Sequence, residues 1–530
     1  MISRMWSLCA RGSGRVSMVV LAAMLGGVLP GAHADEFVNR ANAPYASLPA
    51  ARRSDTLLLP AIALMDPTPA GVRQVYAAAM LPAGKSGWSE AEAWAQAKPQ
   101  QDVLKVLATI TKEPNIRDAY AFGQPYGVEG VDFALVQKRL YTELGDPPTL
   151  AGAQFFYLKG LEALESLVQV EATRLAAAGN PSDAIDVLIN WVFFCRQMAD
   201  RELFTEADWG LRSMAMALER VRDVAYNDLR GPKALVVDRL HGQIDRLKIE
   251  GSYLDLDRMT FPQGNKVAAE QVIARVYIPR NGIDERTFAP TLSRLGTTEF
   301  PLRLFSETGR WRTIGDQQAN WFDATEKLAG VWEDQVQRWG VRMWDRRFAV
   351  VSEQSKLDRT KFAAIDVGLP DMSVLYFRRM VARTEAVGSQ TALAVVGWTR
   401  LGATRGYPTT ISAVRPQWVK ELMPDPFNPN REFGARPPLE YFVPIRDTPR
   451  NERETPQPYP IEVVTPDGRV LNVPLKDDSF VLYSWGSDNG KSFARRTQNT
   501  YVKVENADYL IWPPVISLER DTRLLLGEIK

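Results

Sequence analysis

The sequence predicts an α+β protein. A mainly α-helical N-terminal and central region, arranged as an irregular helical array, is expected to precede a C-terminal unit of one long helix and an antiparallel sheet. Three observations carry this expectation. In the central region, apolar residues recur at three- and four-residue steps, as Ile185, Leu188, Trp191, Val192 and Cys195 do. A second helical run, Ser373 to Leu401, stops at Arg405-Gly406-Tyr407-Pro408, where glycine allows a left-handed exit and proline forbids continuation. Beyond it lie two strand-like runs, Leu439-Glu440-Tyr441-Phe442-Val443 and Phe480-Val481-Leu482-Tyr483-Ser484-Trp485.

Residues 1–34 have the pattern of a secretory signal peptide. Arg4, Arg11 and Arg15 supply a positive region, Val16 to Leu29 an apolar core, and Ala32-His33-Ala34 a small-x-small cleavage site before Asp35. The apolar run, about 14 residues, is short for a membrane span, so the mature chain is expected to be periplasmic or secreted from a bacterium and free of a span. Residues 35–149 form a mixed, mainly helical region. It opens with a polar, proline-bearing segment from Ala43 to Pro60 and continues with helical patterns over Gly71–Ala83, Ser89–Lys98 and Gln101–Thr111.

The helical domain spans residues 150–350. Leu150 to Ala178 is broken by Gly179-Asn180-Pro181; helices to Ala199 and over Thr205–Asn227 follow, and Gly231-Pro232 opens another through His241. Scattered Gly, Pro and Thr make 251–315 read as irregular, and Gln317–Val350 reads as one long amphipathic helix. Residues 351–530 form the C-terminal unit. It is interrupted over 446–475 by an exposed loop and a hairpin turning at Thr465-Pro466-Asp467-Gly468, and Tyr509 to Trp512 reads as its last strand.

Composition excludes several functions. The chain has 64 Lys+Arg and 63 Asp+Glu; removal of the signal leaves 61 against 63, which offers no electrostatic case for nucleic acid or an anionic membrane surface. Only Cys195 and His241 remain beyond the signal, so neither an internal disulfide nor the usual Cys/His zinc site can form.

The helix, the Gly406–Pro408 turn, Pro424-Asp425-Pro426-Phe427, the strand at 439–443 and Leu482-Tyr483-Ser484-Trp485-Gly486-Ser487-Asp488 occur in an order that resembles the globular head of the major pseudopilin of type II secretion systems. It also resembles a family of large exported bacterial proteins that carry this pattern at their C-terminal end. The resemblance covers about 110 residues at the C-terminal end and implies a pseudopilin-head-like fold for them. It also implies a calcium loop, for which Asp488 and Asn489 are the candidate ligands. No other cofactor is suggested.

Candidate chemistry is sparse. His241 lies on a helix with Leu240, Ile244 and Leu247 and is either a structural residue or the one available base; Cys195, on an apolar stripe, would need it to act as a nucleophile. Glycosidase-type chemistry needs only two carboxylates, and Asp255 with Asp257, or Glu202, Glu206 and Asp208, supply them at short spacing. Trp311, Trp321, Trp332, Trp339 and Trp344 form either a core stripe or a stacking face for sugars. The expected function is that of an exported structural or interaction protein of the cell envelope, engaging protein partners or assembling with itself. The alternative is a carboxylate-based hydrolase of an envelope or extracellular polymer. Mass spectrometry of the exported protein should find an N-terminus at Asp35; retention of residues 1–34 would contradict the signal-peptide reading.

Overall fold

The computed structural model describes residues 32–112, 118–296, 304–342, 345–401, 406–428, 437–447, 457–476, 479–486 and 491–529. Its class is α+β. Two helices, α1 (Ala32–Ala46) and α2 (Asp55–Ala63), replace the polar segment expected from Ala43 to Pro60, with Pro44 and Pro60 inside them. Burial of Leu58, Leu59 and Ile62 on one face of α2 outweighs the hydrogen bond that proline removes. The next three, α3 (Val75–Met80), α4 (Trp88–Gln96) and α5 (Lys98–Ile110), are the expected helices with shifted ends; Gly87, at φ +82°, immediately precedes α4. A short α6 (Phe133–Gln137) leads to a two-stranded ladder of β1 (Thr142–Glu143) and β2 (Gln154–Phe155).

Three long helices, α7 (Tyr157–Ala177), α8 (Pro181–Ala199) and α9 (Phe204–Arg230), follow as their periodicity predicts. Proline occupies the first position of α8, where its missing N–H costs nothing. The α8 and α9 backbones touch at Gly210, where an added Cβ would lie 2.8 Å from the Cys195 carbonyl oxygen. After α10 (Val237–Arg246), the structure corrects the expectation of an irregular 251–315, because α11 (Gly264–Val276), α12 (Phe288–Gly296) and α13 (Leu304–Thr313) lie there. Asn265, Gln271 and Ser293 sit among their buried positions, so their inner faces lack a clean apolar period. The long helix expected over Gln317–Val350 is α14 (Trp321–Trp339), ended at Gly340, and a one-turn α15 (Arg346–Ala349).

A short α16 (Ala363–Gly368) precedes the 28-residue α17 (Ser373–Arg400). The remaining elements are β3 (Glu440–Phe442), α18 (Pro444–Asp447), β4 (Tyr459–Val464), β5 (Val470–Leu475), β6 (Val481–Ser484), β7 (Thr497–Gln498), β8 (Asp508–Trp512) and α19 (Val515–Leu525). The strand order is β3-β6-β8-β7, antiparallel except for the parallel β7–β8 pair, while β4 and β5 form the predicted hairpin. Alternation sends Phe480 and Leu482 towards the main core and Val481 and Tyr483 to a second cluster under the hairpin, with Ile461 and Val463.

The main apolar cluster includes residues from Leu58 to Trp512. At its centre α17 packs against α9, α10, β6 and β8, so Ala382 and Ala392 to Val396 are buried around the whole helix. Its burial is therefore shared between helices and sheet. Arg222 of α9 locks this contact. Its guanidinium pairs with Glu385 of α17 at 2.5 Å and donates to Ser389 Oγ at 2.7 Å and to the β8 carbonyl of Ile511 at 2.9 Å. The Tyr509 hydroxyl completes the site by donating to Glu385 at 2.7 Å. Next to it, α19 returns to the helical body. The Ile516 amide donates to Glu219, and Arg520 grips both oxygens of Asp223 and the α3 carbonyl of Ala79.

Two outcomes follow from this packing. Leu393, fully buried in α17, should cost about 2–5 kcal/mol when replaced by alanine, measured by urea denaturation. Burial pushes Glu165 from 4.5 up to about 7, despite a hydrogen bond from Ser213. An acid whose folded pKa is raised stabilises fully below its unfolded pKa and loses that contribution as pH climbs through the folded one. Wild type should therefore lose stability between about pH 4.5 and 7 relative to Glu165→Gln, by on the order of 3 kcal/mol in denaturant midpoints converted to free energy.

Candidate functional site

A cleft of about 680 Å³ opens between α1 and two loops, 123–130 and 143–148. These segments are far apart in sequence and are joined by specific bonds. The Asn42 side-chain amide donates to the Tyr126 carbonyl at 3.0 Å and accepts from its N–H at 2.7 Å, clipping α1 to the first loop. Gly123 N–H donates to Asp55 at 2.9 Å, and Asp55 pairs with Arg53 on the cleft wall. In the second loop Glu143 accepts from the Gly145 amide at 2.6 Å and from the Tyr141 hydroxyl at 3.1 Å. Tyr45 and Tyr126 meet edge to face on the floor, their hydroxyls 3.1 Å apart.

Beneath the floor lies a buried ion pair. Arg201 donates to Glu206 at 2.7 Å and to the carbonyls of Phe122 and Gln124. Its guanidinium sits 3.9 Å from the Tyr45 ring centroid. Glu206 accepts from the hydroxyls of Tyr126 and Tyr157 as well. Burial works against the Arg201 charge, and Glu206 with the tyrosines more than compensates, so its pKa rises. Burial pushes the hydroxyls of Tyr45, Tyr126 and Tyr157 well above the usual tyrosine range, so they remain donors. A fully buried carboxylate held by a guanidinium and two hydroxyls beneath the cleft floor is a rigid support, placed away from any substrate that the cleft could hold.

The candidates taken from the sequence are dispersed. The His241 ring stacks on Trp418 with centroids 4.0 Å apart and planes 4° from parallel. Cys195 is fully buried, and burial together with nearby Glu165 pushes its thiol well up. Asp255 and Asp257 do not face each other across a cleft. Asp255 caps its own 3₁₀ turn through the Asp257 N–H and pairs with Arg258 at 3.4 Å. Asp257 instead meets Arg342 through two bonds of 2.6 Å and also pairs with Arg383. Burial opposes its charge, but these two arginines hold its pKa down to about 2. Glu202 accepts from Gly264 N–H, and Asp208 pairs with Arg212 and Arg378, so both diverge from Glu206. Trp311, Trp332 and Trp339 are core residues. Trp344, Asp488 and Asn489 lie outside the described residues.

Reasoning from sequence did not single out Glu129, Glu143 or Arg201. The cleft acids carry no local pattern, and a buried arginine in the turn before a helix looks like any polar linker residue. Among the described residues, no group of His, Cys, Asp and Glu is placed to hold a metal ion. Compared with known proteins, the chain matches no family model, no curated protein and no solved structure.

Removing one partner of a buried ion pair leaves the other charge uncompensated, at a cost of about 3–5 kcal/mol. Arg201→Met should show that loss in chemical denaturation, and adding Glu206→Gln should recover part of it.

Proposed function

We propose that this chain is an exported interaction protein of the cell envelope that holds an extended segment of a protein partner in the cleft beside α1. The observation that carries this reading is how the carboxylates around the cleft are used. Glu206 is fully buried beneath it and bonded to Arg201, Tyr126 and Tyr157, and Glu143 is bound by the Gly145 amide and the Tyr141 hydroxyl. Its wall mixes apolar side chains such as Val38, Val128 and Leu144 with polar ones such as Asn39 and Glu129, a lining that suits the alternating side chains of an extended segment. The basic and apolar pattern of residues 4–29 supports export, and the described residues contain no helix long and apolar enough to cross a membrane. The pseudopilin-head resemblance of the C-terminal unit belongs to the same proposal, since heads of that kind work by contact with other proteins.

One observation favours hydrolysis as a second reading: Glu129 and Glu143 both line the cleft, and a glycosidase needs two such acids. A single pair of measurements separates the two. A photo-crosslinking residue at Val128, on the cleft wall, should join one defined protein in the envelope; the same residue at exposed Val470 should not. Release of soluble fragments from peptidoglycan that disappears in Glu143→Gln would instead establish the hydrolase and remove the binding reading.

A further inference from the structure

We propose that a phosphate group binds between α14 and α17, placing one terminal oxygen in a small cavity that Arg379 lines with Arg342 and Arg383. On α17, Tyr376, Arg379, Met380 and Arg383 follow one another at i, i+3, i+4 and i+7, which puts them on one face. Arg338 of α14, Arg342 just beyond it and Asp257 close the cavity from the other side. Its volume is about 10 Å³, room for about one water-sized atom.

The charges there do not balance. Arg338 is engaged by Asp334 at 2.9 Å and by the carbonyls of Arg347 and Val350. That leaves the guanidinium groups of Arg342, Arg379 and Arg383 around one carboxylate, Asp257, which already pairs with Arg342 and Arg383. Arg379 stacks 3.7 Å from the Trp339 ring centroid and donates to the Trp339 carbonyl at 2.7 Å. Among the described residues no carboxylate forms an ion pair with it. A largely buried cation that shares its nearest carboxylate with two other arginines is costly. Burial pulls Arg379 down to about 10; nearby Asp257 opposes the shift, and the like charges of Arg342 and Arg383 add to it. The excess of two positive charges equals the charge of a phosphate dianion, and a guanidinium fixed against an aromatic ring presents its donors in the fork that phosphate oxygens accept. The tight cavity admits one oxygen and leaves the rest of the group at the mouth.

The test is isothermal titration of the full chain with sodium phosphate at an ionic strength held constant with sodium chloride. Wild type should bind saturably, and Arg379→Met should bind at least about tenfold more weakly, a loss of about 1.4 kcal/mol. Arg379→Lys, which keeps the charge without the fork, should fall between them. Circular dichroism should show both variants folded, because Arg379→Met removes an unbalanced charge from a packed site. Flotation with phosphatidic acid vesicles separates the sources. Flotation abolished by Arg379→Met assigns a lipid headgroup, and phosphate binding without flotation assigns a soluble phosphate. The proposal is overturned if phosphate gives no heat beyond matched chloride, or if Arg379→Met binds phosphate as wild type does.

Discussion

The fold turns on Arg222. Its guanidinium lies where α9, α17 and β8 meet and has a partner on each of the other two elements, Glu385 and Ser389 on α17 and the Ile511 carbonyl on β8. Taking an ion pair out of water costs several kcal/mol per ion, returned only when geometry is good and the remaining polar positions are filled. Such a pair tolerates few alternative packings. A slide of α17 by one turn, about 5.4 Å, would strand both charges in an apolar interior. The close approach of Gly388 to Ile511, where an added Cβ would come within 2.6 Å, is the steric counterpart of this constraint. Charge and shape therefore place the long helix in one position, and that position joins the helical body to the sheet.

Much of this architecture was legible in the sequence. The periodicity of α7, α8, α9 and α17 is strong because their buried faces are mostly apolar, and the Pro-Asp-Gly turn of the hairpin contains Gly468 at φ +82°. What escaped has physical reasons. The inner faces of α11 and α12 include Asn265, Gln271 and Ser293. Pro513-Pro514 looks like the end of a strand, yet Pro514 is also the N-cap of α19, because a proline that cannot continue a strand can begin a helix. The cleft was not legible at all. Asn42 meets Tyr126 and Asp55 meets Gly123 through tertiary hydrogen bonds, while Glu143 is bound within its own loop, and nothing in their local spacing announces a shared cleft.

Three arginines show how context divides one side chain's roles. Arg201 and Arg222 are both almost fully buried, and each is matched to a carboxylate, so each works as a structural fastener. Arg379 is stacked on an aromatic ring and donates to a carbonyl, beside two arginines that share Asp257. The first two stabilise what is already there, whereas the third leaves an interaction incomplete. Asp257, chosen from the sequence as an acid for catalysis, belongs to this third environment, where its partners keep it ionised.

The return of α19 to α9 and α3 has a consequence for the order in which the protein can form. Asp223 and Glu219 are buried near the middle of the chain, yet Arg520, Ser517 and the Ile516 amide that satisfy them come from its last stretch. Arg220 and Asn227 meet Asp223 within α9, but a nascent chain emerging N-terminus first would carry these acids for roughly three hundred residues of synthesis before their α19 partners exist. The α9 side of that seam can form early, but its contacts with α19 cannot. Closure of this seam therefore waits on α19, which follows the acids it satisfies by roughly three hundred residues.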